Sequence, residues 1–124
     1  MRTKPICYLC GPIHSSDGWK AMDRAANVLT AAGWVVLNPS LLPMGLAREQ
    51  TASICKTMIE CANVVITMEG YERSAAAGQD AFYAVSQGMD VMDIKEAMCL
   101  DVSRQNNVSI HAEIKRFRAE KGAD

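Results

Sequence analysis

Strand-like and helix-like segments alternate in the order β-α-β-α-β-α-β-(β)-α. That order predicts an α/β fold, a four- or five-stranded parallel sheet covered by helices on both faces. Two further observations support it. Ile6–Cys10 is an apolar run without polar alternation, as a strand buried on both faces requires. The expected strands also run into turn signals, Gly11-Pro12, Asn38-Pro39 and Gly70.

The elements follow in order. Pro5 to Cys10 reads as a central strand ending in a tight loop. Asp17 to Ala32 reads as a helix with Trp19, Met22, Ala26 and Leu29 at helical spacing, Ser16 able to cap its start and Gly33 its end. Trp34 to Leu37 is the second strand, and both tryptophans read as packing residues. A loop of about ten residues, carrying Pro43 and Gly45, exceeds what a plain connection needs; such loops often carry function. Ala47 to Cys61 is expected to be helical, with Ile54, Met58 and Cys61 on one face. Val64 to Thr67 is the third strand, and Met68 to Arg73 a loop around Gly70. Ser74 then caps a helix with a small inner face of Ala77, Ala81, Ala84 and Val85, closed by Gly88. Met89 to Ile94 is the fourth strand. Ala97 to Val102 reads as either a fifth strand or an irregular segment. A last helix covers 108–121, with Ile110, Ile114 and Phe117 on one stripe and Lys115, Arg116 and Arg118 on the solvated side.

Size and composition bound the function. The 124 residues, 49% hydrophobic and 22% charged, fit one domain over 1–124, with the segment 95–124 the least defined. A net charge of −1 without a concentrated basic face argues against polymeric nucleic acid and against a membrane surface as partner. No apolar run approaches a membrane span, and the short run after Met-Arg-Thr-Lys-Pro is unlike a signal peptide, so a cytoplasmic protein is expected. Five cysteines, an odd count, point to free thiols. Cys7 and Cys10 fall three apart on one strand, which sends them to opposite faces and argues against a redox or zinc pair. Cys55 and Cys61, six apart on a helix, do not share a face. His14 and His111 lie far apart with no carboxylate cluster beside either, so no metal and no organic cofactor is expected.

In an open parallel sheet, ligands bind at the carboxyl ends of the strands. The loops Gly11 to Asp17, Asn38 to Glu49 and Met68 to Ser74 should therefore meet. The first runs from a strand into a capped helix, which exposes N–H groups at a positive helix end and suits an anion or a sugar hydroxyl. It is neither a dinucleotide nor a Walker loop. Asp80, a turn from both Ala77 and Ala84, is aimed toward the apolar side of its helix near the pocket end. Either it serves a ligand there, or it rims the helix and bonds to a backbone N–H or a tyrosine.

Together, strand 1 with Gly11-Pro12, Asn38-Pro39, Gly70-Tyr71-Glu72 and Ser74-x5-Asp80-x3-Ala84-x3-Gly88 resemble the nucleoside 2-deoxyribosyltransferase superfamily. The likeness is to its short DUF4406 branch, often found in phage and prophage genomes, and it covers roughly residues 5 to 92. It implies a flavodoxin-like three-layer α/β/α fold and a cofactor-free attack by a carboxylate on the anomeric carbon of a nucleoside or its 5′-monophosphate. Asp80 matches the nucleophile, Ser74 a serine that holds the 5′-phosphate, and Gly11 and Pro12 the loop around the sugar. Ile13, His14, Asn38, Pro39, Gly70 and Ala76 complete the expected substrate-binding positions, and Glu72 reads as an auxiliary acid or as a solvated loop glutamate. The resemblance also implies a homo-oligomer, a dimer or larger. An apolar surplus at Met22, Met58, Met98, Ile110, Ile114 and Phe117 points the same way. Three positions depart from the pattern: Asp80 stands for Glu, Ala76 for Gly, and Asn63 for the Asp of many relatives. The readings are thus an N-glycosidase or deoxyribosyltransferase, a non-catalytic protein that sequesters a nucleotide, or a structural flavodoxin-like module.

Overall fold

The computed structural model describes residues 2–13 and 17–122. Four strands, β1 (Ile6–Cys10), β2 (Val35–Leu37), β3 (Val64–Thr67) and β4 (Asp90–Asp93), form one sheet in the order β2-β1-β3-β4. All three pairings are parallel. Five helices accompany them: α1 (Gly18–Ala32), α2 (Arg48–Cys61), α3 (Ala75–Ser86), α4 (Ile94–Ala97) and α5 (Ile110–Lys121). The first connection carries the chain from β1 out to β2, and the second returns it across β1 to β3. This is the flavodoxin-like order with its switch point between β1 and β3. The expected fold class stands, with four strands.

Strand alternation divides the core into two layers. Cys7, Leu9, Val64, Ile66 and Met92 face α1 and α5, packing on Met22, Leu29, Ile110 and Ile114. Tyr8, Cys10 and Val65 face α2 and α3, packing on Cys55, Ile59, Ala77, Ala81 and Ala84. Cys7 and Cys10 accordingly lie in different layers, Cys55 is buried and Cys61 exposed, and all five cysteines are free thiols. No helix among the described residues is long and apolar enough to cross a membrane.

Two glycines are required by the backbone. Gly33, at φ 117°, donates its N–H to the Leu29 and Thr30 carbonyls and turns the chain from α1 into Trp34. Gly11 ends β1 where a Cβ would stand 2.8 Å from Met22 Sδ and 3.2 Å from Met68 Sδ.

Several expectations need correction. Trp19 is 50% exposed, because it lies in the first turn of α1, beyond the end of β1, where the sheet no longer covers the helix. Only Trp34, just before β2, is a packing residue. The inner face of α2 is Cys55 and Ile59, whereas Ile54 and Cys61 are exposed. Apolar residues occur on both sides of that helix, so spacing alone chooses wrongly between them. The inner face of α3 ends at Ala84, one residue short, and Val85 is exposed. The segment after β4 is not a strand: α4, capped by Asp93, continues it directly, and a 3-10 turn follows at Val102–Arg104. The supposed surplus at Met22, Ile110 and Ile114 is buried in the core, with Phe117 packed against it. The Ser16 cap lies outside the described residues.

Polar anchors fix the tail. Glu113, buried on α5, accepts from the Asp101 N–H at 2.8 Å and is paired with Arg116. Asn63 accepts from the Ile6 N–H at 2.8 Å and donates to the Asn107 carbonyl at 3.2 Å. An ionised carboxylate at 63 could accept the first bond but not donate the second, which gives the departure at this position a physical reason.

Candidate active site

The carboxyl end of β1 opens into a cavity of about 460 Å³. Gly11 and Ile13 from the first loop, Pro39 from the second, and Ser74, Ala76 and Asp80 from α3 line it. These are six of the residues expected to form the site. Sequence reasoning missed Leu46, Arg48, Thr51 and Cys55, which line the same space from the long loop and α2. The length of that loop was the available signal, but nothing in the sequence says which of its residues turn inward.

The remaining expected residues stand apart. Asn38 is buried and accepts from both the N–H and the hydroxyl of Ser40, at 3.0 and 2.7 Å, which caps the 3-10 turn Pro39–Leu41. Gly70, at φ 81°, starts the 3-10 turn Tyr71–Arg73, and Glu72 is exposed within that turn. Neither they nor Pro12 line the cavity. His14 lies outside the described residues.

Two helix N-termini converge here. Ser74 caps α3 by accepting the Ala77 N–H at 3.3 Å, which leaves its hydroxyl proton free to donate. The N–H groups of Ala75 and Ala76 are first-turn donors without a helical acceptor. Arg48 opens α2 on the other side, exposed and without an ion pair among the described residues. A cation at a helix N-terminus opposes the helix dipole, so its position contributes nothing to α2 itself. Two helix N-termini, a hydroxyl and a guanidinium thus border one space.

Asp80 is the counter-charge. It lies one and a half turns into α3, and its Oδ2 accepts the Tyr8 hydroxyl at 2.7 Å. Asp80 thus bonds to a tyrosine, as the second reading of the sequence expected, and also lines the cavity. Burial pushes its pKa above the ordinary aspartate value, and the Tyr8 bond offsets part of that rise. Burial, and then the charge of Asp80, keep the Tyr8 hydroxyl protonated far above its usual range. Cys10 donates its thiol to the Ala77 carbonyl at 3.1 Å and is pushed up to about 12, by burial first and Asp80 second. The Cys55 thiol is also raised, chiefly by burial. Both thiols stay neutral at physiological pH and are poor nucleophiles. Asp80 lines the cavity and is the carboxylate among its described lining residues, with a pKa raised by burial. Among the described residues no group of three or more His, Cys, Asp or Glu is placed to hold a metal ion.

A family model described as Domain of unknown function (DUF4406) matches residues 5–93. No curated protein matches the chain.

Proposed function

The chain belongs to the DUF4406 family, and we propose that it binds a nucleoside 5′-monophosphate or nucleoside in this cavity and cleaves the N-glycosidic bond through Asp80. The observation that carries this reading is a carboxylate held by Tyr8, alone of its kind among the described lining residues, in a cavity that Arg48 and the start of α3 also line.

The phosphate sits between Arg48 and the start of α3. The free oxygen of Asp80 attacks C1′ of the sugar, and the C1′–N bond breaks with its electron pair passing to the base. A carboxylate suits an oxocarbenium-like transition state, by stabilising it or trapping it. Water attacking C1′ then restores Asp80 and gives a hydrolase; a second base gives a transferase. The departing nitrogen takes its proton from water in the open cleft, since Tyr8, Cys10 and Cys55 all hold theirs tightly. Glu72 lies outside the lining, and we assign it no step.

A second reading, a nucleotide-sequestering protein without turnover, rests on the Asp at position 80. It is one methylene shorter than the glutamate the resemblance implies, and a displacement of about 1 Å costs roughly 100-fold in rate. Incubation with deoxynucleosides and their 5′-monophosphates, followed by chromatography for free base, separates the readings. Base release supports the enzyme. Tight binding without release supports the sequestering protein, and neither would sink both.

Tyr8→Phe supplies an internal check. The hydroxyl lowers the Asp80 pKa, so its loss should raise that pKa further. Since the nucleophile must be ionised, the acid limb of the rate profile should move to higher pH. A carboxyl titration by NMR in which Asp80 does not move would exclude the coupling.

A cytoplasmic homo-oligomer completes the reading. Its support is Phe82 and Val85, 76% and 61% exposed three residues apart on α3. Light scattering should show a dimer or larger at micromolar concentration, and a monomer would remove this part.

A further inference from the structure

The cavity at Asp80 does not end where a nucleotide would. Ile13, Pro39, Leu46 and Thr51 form a shared wall with a second chamber of about 680 Å³. The first chamber, at about 460 Å³, already falls within the usual volume of a small-molecule site. The second is therefore additional room, and its chemistry is different. Among the described residues no ionisable side chain lines it; Trp19, Leu42, Pro43 and Met44 do, with the hydroxyls of Ser40 and Thr51. Ser40 already donates to Asn38 at 2.7 Å. Trp19 is half exposed and Met44 fully exposed, so large apolar side chains border a concave space that the other described residues do not cover.

We infer that this second chamber receives the leaving group, and that it selects nucleotides whose base carries an apolar, preferably aromatic, extension. The inference rests on the nucleotide reading above. Arg48, Ser74 and Asp80 line the first chamber and not the second, so they fix the phosphate and C1′ there. What lies beyond C1′ then points across the shared wall. A bare base leaves the outer apolar side chains of this chamber in contact with water. An aromatic extension would instead meet the Trp19 ring and the Met44 thioether, both of which attract aromatic faces.

Calorimetric titration of the full chain with matched pairs tests this: dAMP against its N6-benzyl derivative, and dCMP against its N4-benzyl derivative. At least one derivative should bind about tenfold more tightly than its parent, with a more negative heat-capacity change. Trp19→Ala should bring that ratio close to one. Met44→Ala, at a fully exposed side chain, should lower it severalfold and guards against a folding defect in the first variant. Parents that bind as well as their derivatives overturn the leaving-group chamber and leave the nucleotide reading intact. A preference that survives both substitutions also overturns it. If no parent and no derivative binds, the nucleotide reading falls and this inference with it.

Discussion

Replacing Asp80 by Asn should abolish base release, by on the order of a thousandfold or more, while nucleotide binding persists or tightens. The amide keeps the shape and can still accept the Tyr8 bond, but it cannot form a glycosyl ester or offset positive charge on the sugar. Affinity holds or rises because a carboxylate on the cavity floor repels a phosphate at the wall, and Asn does not. A sequestering protein would instead show a modest affinity change and no activity to lose. Free-base chromatography and calorimetry on the same preparation give both readouts. Full base release from Asp80→Asn would remove Asp80 from the mechanism.

The same substitution should stabilise the fold at neutral pH, and the sign follows from burial. The folded-state pKa of Asp80 is raised above its unfolded value. Below the unfolded pKa both states are protonated and the carboxyl carries no penalty. As pH rises through the folded pKa, the native state must hold a partly buried charge, and stability falls. Asp80→Asn should therefore raise the melting temperature by a few degrees at pH 7, a gain that vanishes in acid. A gain of this kind at the expense of activity is the usual signature of a functional site.

Much of this was legible in the sequence, and the gaps share a cause. Strand β3 matched to the residue because a fully apolar run between turn signals admits one reading. Ser74 and Asp80 were found because a cap and a carboxylate on an alanine face are local patterns. The rotation of α2 was not, since Ile54, Cys55, Met58 and Ile59 offer two overlapping stripes and the choice is made by Tyr8 and Val65, far away in sequence. Trp19 was misread because helical spacing cannot say where the sheet ends. Arg48 was missed because an arginine at the start of an expected helix looks like any solvated charge until the fold sets it against α3.

Arg48→Ala should weaken binding of deoxynucleoside monophosphates by about 10- to 100-fold, as expected for a lost charge-assisted bond of roughly 1.5–3 kcal/mol. Nucleosides lacking the phosphate should bind nearly as before. The substitution is a clean probe, because Arg48 is exposed, makes no ion pair among the described residues, and stands where a cation opposes the helix dipole. Alanine there should leave stability unchanged or slightly higher. Ser74→Ala is less clean, since it also removes the cap of α3, worth about 1 kcal/mol of stability. Its weakening of monophosphates, about 1–2 kcal/mol, must be read against the melting temperature. The pair also makes a distinct salt prediction: raising ionic strength should narrow the gap between monophosphate and nucleoside in the native protein, and hardly alter it in Arg48→Ala. If Arg48→Ala leaves the monophosphate-to-nucleoside ratio unchanged, no phosphate sits at that wall, and the anion end of the cavity is wrongly placed.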